Sequence, residues 1–374
     1  MKKLLLPLAF ASIAATSWAV TPLWLRDVKI SPDGSSIAFT YKGDIYKVAA
    51  NGGTAQRLTT QPSYESNPVW SPDGKSIAFA SDRNGNMDVY LMSANGGKAT
   101  RLTTNSTNEI PESFTPDGKN VLFSAAIQDV ASSAQFPSSR LTEVYSVPVT
   151  GGRITQLLST PALQISYSPD GDFFLYNDQK GFEDEWRKHH ISSVTRDVWR
   201  YDTKTGKHTN LTNRAGEDRN PVMSVDGKTV YLLSERNGNT FNVYSFPIDN
   251  PSAVKQLTNF KTHPVRFLSQ GADGTLAFTY DGEIYTKKGD AAPRKVNIDL
   301  MLDEEKPIKK YSVSSSNEAT VSPDGKQVAF VNRGELFVTS VEYPTTKQIT
   351  STPAAERQPA WAPDNRTIAY TSVR

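Results

Sequence analysis

Three consecutive acids, Glu183, Asp184 and Glu185, stand just before two consecutive histidines, His189 and His190, with Phe182 and Trp186 among them. Carboxylates and imidazoles are the side chains that move protons or hold metal ions. Adjacent histidines on an extended chain point to opposite faces, so this pair is poorly placed to share one ion. The plain expectation for Gly181 to Thr195 is a loop that packs on a neighbouring element through Phe182 and Trp186. The alternative is contact with a ligand or substrate, because conspicuous loops on rigid scaffolds often carry function. Phe182, Glu183, Trp186, His189 and His190 are therefore the candidate contact residues.

Other motifs are weaker. Asp82 to Asp88, D-R-N-G-N-M-D, spaces oxygen side chains as calcium loops do. Yet Asn84-Gly85 lies between two apolar runs, which is the strongest short hairpin signal. A hairpin is expected, not a metal site. Gly74-Lys75-Ser76 resembles the end of a phosphate loop, but Val69 stands where its first glycine belongs. There is no G-x-S-x-G and no H-E-x-x-H. Cysteine is absent, which excludes disulfides and thiolate chemistry. No catalytic, metal-binding or cofactor residue is assigned, and no cofactor is expected.

The chain opens with Met1-Lys2-Lys3, an apolar run and Ser17-Trp18-Ala19. That is the pattern of a secretory signal peptide cut after Ala19. A periplasmic or otherwise exported chain without a membrane anchor after cleavage is expected. Lys and Arg number 41 against 39 acids, and Lys2 and Lys3 lie in the leader, so the remainder is neutral. A nucleic-acid partner is not expected.

What must position the loop is a repeat. Ser31-Pro32-Asp33-Gly34 and its near copies occur eight times, beginning at Ser31, Ser71, Thr115, Ser168, Ser224, Gly271, Ser322 and Ala362. Each turn precedes an apolar run such as Ile77-Ala78-Phe79. An acid–aliphatic–aromatic run such as Asp88-Val89-Tyr90 follows, then a polar strand near Arg101-Leu102-Thr103. These short β-branched and aromatic runs, bounded by turn residues, read as strands. Four strands in a unit of about 40–50 residues make one propeller blade.

The fold expected is all-β. A six-bladed β-propeller over 20–298, a linker over 299–311, and the first one and a half blades of a second propeller over 312–374 account for the pattern. One eight-bladed ring is the alternative. The eighth unit supplies only its turn and the strand Thr367 to Thr371, so the chain reads as a fragment of a longer protein.

The unit S-P-D-G-K-x-I-A-F, followed by S-D-R-x-G-x-x-D-V-Y, resembles the TolB-type propeller repeat. Six blades, a linker and a second blade series, with the insertion Glu183 to Trp199, resemble exported bacterial tricorn-like serine proteases. The resemblance implies a propeller module that gates or sorts peptides for a catalytic domain absent from this chain. It implies peptides or other domains of such a peptidase as partners, and homo-oligomerisation through the full-length parent. The alternative is a non-enzymatic, TolB-like propeller that binds an envelope protein. No residue here matches the family's catalytic positions.

Overall fold

The computed structural model describes residues 21–127, 141–187, 191–237, 240–301, 313, 316 and 318–373. His189, His190 and most of the Ser- and Ala-rich stretch from Ala125 to Arg140 lie outside them. Among the described residues every regular element is a β-strand.

The tetrapeptide works as a lock that reverses the chain. The Ser31 hydroxyl donates to Asp33 Oδ1 (2.5 Å), the Ser36 amide donates to Ser31 Oγ (3.0 Å), and the Gly34 amide donates to the Ser31 carbonyl (2.9 Å). Gly34 has a φ of +76°, which only glycine adopts without strain. The hydroxyl–aspartate bond recurs at Ser71, Ser168, Ser224 and Ser322. That bond holds Asp33 and Asp73 below the usual carboxylate range.

The other motifs of the unit lock its second, third and fourth strands together. Phe39 pairs directly across from Tyr46, and the rings stack at 5.7 Å. Phe79 with Tyr90 and Phe330 with Phe337 repeat this. The acid opening the third strand meets the arginine of the fourth: Asp44 with Arg57 at 2.7 Å, Asp88 with Arg101 at 2.8 Å. The following threonine accepts the backbone amide beside the acid, from Ile45 to Thr59 (2.9 Å) and from Val89 to Thr103 (2.9 Å).

Sheet one comprises Arg26–Ile30, Ser36–Tyr41, Asp44–Ala49 and Gly53–Arg57. Sheets two to six repeat this order, with first strands Glu65–Trp70, Glu109–Phe114, Ala162–Tyr167, Asp218–Met223 and Arg266–Gln270. Each first strand packs against the next, and Arg266–Gln270 returns to Arg26–Ile30. Six apolar clusters fill the spaces between successive sheets. One joins Phe79 of sheet two to Ile45 of sheet one, and another joins Ala277 and Ile284 of sheet six to Phe39 of sheet one.

Closure draws on both ends of this circuit. Ile298–Leu300 adds a parallel fifth strand beside Gly53–Arg57. Asp299 and Leu300, expected in the linker, therefore belong to sheet one, because Ile298 and Leu300 are buried in the core that closes on it. At the turns, the Ala272 amide donates to the Pro32 carbonyl (2.6 Å). Gly271 replaces the usual serine here, since a Cβ would lie 2.8 Å from Gly34 Cα.

Sheet seven, again four-stranded, begins at Ala319–Val321, and sheet eight pairs two strands, Glu356–Trp361 and Ile368–Ser372. Trp361 Nε1 donates to the Thr320 carbonyl (3.2 Å), as Trp70 Nε1 does to Lys29 (2.9 Å). These sheets rest on the turn after Tyr41. Lys42 pairs with Glu335 and donates to the Thr352 carbonyl, and the Tyr41 hydroxyl donates to the Pro353 carbonyl (3.0 Å).

Candidate functional site

The first strands line the axis of the circuit, and each carries a bulge there. Asp27, Asn67, Gln164, Asn220 and Phe267 adopt φ between +51° and +57° at equivalent positions. Side chains at these bulges bind the amide of the next sheet. Asp27 accepts from Asn67 (3.3 Å), Gln164 from Asn220 (2.7 Å), and Asn220 from Leu268 (2.8 Å). Glu112 accepts from Gln164 (2.8 Å) and from the Ser124 hydroxyl (2.9 Å). Polar side chains on the axis thus join one blade to another.

Burial pushes the Glu112 carboxyl up to about 7, against the opposing hydrogen bonds from Ser124 and Gln164. A raised carboxyl is protonated sooner in the folded than in the unfolded chain. Its share of stability is therefore full below the ordinary value of 4.5 and falls as pH rises through about 7. In urea titrations at pH 4.5, 6 and 7.5, the wild-type midpoint should drop relative to that of Glu112→Gln. A constant difference between the two across this range would refute the assignment.

One mouth of the axis is crossed by the loop of sheet four. Trp186 stacks on Trp24 (5.6 Å), which precedes sheet one, and meets Phe267 of sheet six edge-on (6.1 Å). Arg26 lies 4.6 Å from the Trp186 ring centroid and Arg266 5.1 Å. Arg266 also donates to the carbonyls of Glu185, Trp186 (2.8 Å) and Arg187 (3.0 Å). Behind it, Arg187 forms ion pairs with Glu183 (2.6 Å), Glu217 and Glu235 (3.4 Å). Arg196 holds Glu185 at 2.8 Å. Burial acts to raise Glu185, but Arg196 and Arg219 outweigh it and hold the carboxyl low. Burial and neighbouring Arg219 lower Arg266, although a guanidinium remains charged. Beneath Trp186 a cavity of only about 20 Å³ remains, bounded by Gln164, Asn220 and Phe267. That is room for about one water molecule.

Of the candidate contact residues, Trp186 packs across the mouth and Glu183 is buried against Arg187. Phe182, expected to pack, is instead 77% exposed. The chain turns so that Glu183 faces inward to its cation, which leaves Phe182 directed outward. The calcium-like segment is spent on structure: Asp82 Oδ1 accepts the Tyr64 amide (2.7 Å), and Asp88 pairs with Arg101. Among the described residues no group of three or more His, Asp or Glu is placed to hold a metal ion. Arg26, Arg219 and Arg266 were not anticipated from sequence.

A second hollow, about 190 Å³, lies where sheets seven and eight meet sheets one and two. Its walls include Trp24, Arg26, Tyr64, Arg333, Glu356 and Arg357.

Residues 22–292 match the family model of the tricorn protease N-terminal β-propeller domain. The chain belongs to that family. The tricorn protease crystal structure superposes with a TM-score of 0.62 over 88% of this chain and 31% of its own, at 23% identity. TolB from Acinetobacter baumannii gives 0.54 over 75% of this chain and 65% of its own, at 19% identity. At such identities the likeness is one of fold, an all-β propeller. An uncharacterized peptidase of Bacillus subtilis, YuxL, is 25% identical over 227 residues, 60% of this chain and 31% of that protein. An uncharacterized protein of Agrobacterium fabrum is 31% identical over 216 residues, 55% of this chain and 66% of its own. The chain thus spans less than two thirds of either relative.

Proposed function

We propose that residues 20–298 form a six-bladed propeller and 312–374 the start of a second, and that together they gate peptides for a serine-peptidase domain. The single observation that carries this reading is the loop of sheet four laid across the axis. An axis with one mouth closed by Trp186, which Arg266 holds, has the form of a gate. Family membership and the peptidase relative support a proteolytic context, and the leader-like pattern of residues 1–19 supports export to the periplasm. The rival is a TolB-like propeller that docks an envelope protein on its face.

The test compares the wild-type chain with a Trp186→Ala, Arg266→Ala double variant. A fluorescein-labelled decapeptide is titrated by anisotropy. Opening the mouth should tighten binding at least about tenfold, since the Trp186 ring and its cation no longer fill the channel entrance. Neither form should hydrolyse the peptide, because no nucleophile–base pair is assigned. Unchanged, negligible binding in both would reject peptide gating and favour the docking reading.

A further inference from the structure

We propose that Asp88 and Glu109 share one proton across the seam between sheets two and three, which makes that seam a latch released in alkaline medium. In three seams, one backbone bond sets the acid that opens a third strand beside the acid that opens the next sheet. The Glu65 amide donates to the Gly43 carbonyl (2.8 Å), the Glu109 amide to that of Met87 (2.7 Å), and the Asp218 amide to that of Arg196 (3.0 Å). In two of these seams each acid has its own cation. Asp44 pairs with Arg57 (2.7 Å) and Glu65 with Arg83 (3.2 Å). Asp197 pairs with Lys180 (2.7 Å) and Asp218 with Arg236 (3.0 Å). Between sheets two and three, among the described residues, Arg101 is the one cation paired with either acid, at 2.8 Å from Asp88. The repeat explains the difference. Ser81 and Arg83 stand ten and twelve residues after Ser71, and both bond Glu65. Ala125 and Ile127 stand ten and twelve residues after Thr115 and can do neither for Glu109, which Ala125 faces across the hairpin.

Both residues are sealed, Asp88 and Glu109 each at 0% exposure. Their side chains hydrogen-bond to one another. Ionised carboxylates only accept, so that bond requires a proton on one of them. Other donors are few. Asn105 donates to Glu109 Oε1 (2.8 Å) and the Thr103 hydroxyl bonds the same carboxyl, but Asp88 Oδ1 and Glu109 Oε2 meet no other donor. The further titratable and charged neighbours come from sheet two. Tyr90 lies near Asp88, and Arg83 stacks 4.5 Å from the Tyr90 ring centroid while pairing with Glu65. Burial raises Asp88 against the pull of Arg101, and raises Glu109 against Thr103 and Asn105. A raised carboxyl lends stability that is full below its ordinary range and is lost as pH rises through the raised value. Beyond that point two anions share a sealed seam with one cation. The segment from Thr104 to Asn108 joins the two sheets and is the part able to yield, being exposed or half-buried throughout. Asn86 pins it through the carbonyls of Asn105 (3.0 Å) and Thr107 (2.6 Å). The latch does not rest on the gating proposal.

Glu112 carries another raised carboxyl on the same strand, so the test runs on the full chain carrying Glu112→Gln. Infrared difference spectra at pH 6, taken against the same chain with Glu109→Gln added, should show the carbonyl stretch of one protonated carboxylic acid. Asp88→Asn should remove that band too. Exchange of the amide at position 109, corrected for its intrinsic rate, should lose at least about tenfold in protection between pH 6 and pH 9, the equivalent of one pKa unit. With Glu109→Gln added, protection there should hold steady. Ile127→Arg supplies the cation that the repeat places in sheet two, and it should abolish both the band and the pH dependence. Should Ile127→Arg fail to fold, the other two substitutions decide. Absence of the acid band, or the same loss of protection with and without Glu109→Gln, would overturn the shared proton. A band that survives Asp88→Asn unchanged would place the proton on Glu109 alone and overturn the latch.

Discussion

Replacing Arg187 by methionine should lower the unfolding free energy by roughly 3–5 kcal/mol, the usual loss when one partner of a buried ion cluster is removed. Its side chain is 10% exposed, and the carboxylates it serves are nearly sealed: Glu183 at 6%, Glu217 and Glu235 at 1%. Arg219 approaches Glu217 at 3.7 Å and offsets only part of the loss. Arg187→Lys should fall between wild type and methionine, because one ammonium cannot fork among three carboxylates. Urea unfolding at pH 7.5 measures both variants. A loss below about 1 kcal/mol at pH 7.5 would show that the cluster contributes little net stability.

Asn220→Ala should cost about 3 kcal/mol, from two causes that can be separated. Asn220 has a φ of +51°, a region that costs an alanine roughly 1–2 kcal/mol. Its amide group also holds the Leu268 backbone at both ends, with Oδ1 accepting the amide (2.8 Å) and Nδ2 donating to the carbonyl (3.1 Å). Leu268 is fully buried, so its polar groups would lose their partners, at roughly 1–3 kcal/mol. Asn220→Gly restores the backbone freedom and leaves the second cost alone. Hydrogen exchange at Leu268 should accelerate in both variants. If glycine restored wild-type stability, the link between sheets five and six would carry no weight.

The blade pattern was legible because its signals are local. A serine, an aspartate two residues on and a glycine suffice to build the turn, as the Ser31–Asp33 bond shows. Aromatic residues facing one another across a hairpin, such as Phe39 and Tyr46, are likewise set by strand alternation. Closure was less legible. Ile298–Leu300 is three residues long, and only its meeting with Gly53–Arg57, far away in sequence, makes it a strand. For that reason the repeat pattern does not carry Asp299 and Leu300 into sheet one.

The site divides in the same way. The loop of sheet four drew notice by its composition, but nothing local says that Trp186 turns inward while Phe182 turns out. That choice follows from the ion cage around Arg187, whose acids Glu217 and Glu235 flank two strands of sheet five. The arginines at the axis did leave a trace: Arg26, Arg219, Arg266 and Arg357 each stand five residues before a tetrapeptide copy. That spacing sets them beside the bulge of each first strand, as the positive φ of Asp27, Asn220, Phe267 and Gln358 shows. The sequence by itself determined which residues share a register within each blade, because turn and strand periodicities act over a few residues. Only the tertiary structure decided which of those equivalent positions meet, because closing the circuit brings together the first strands of blades far apart in the chain.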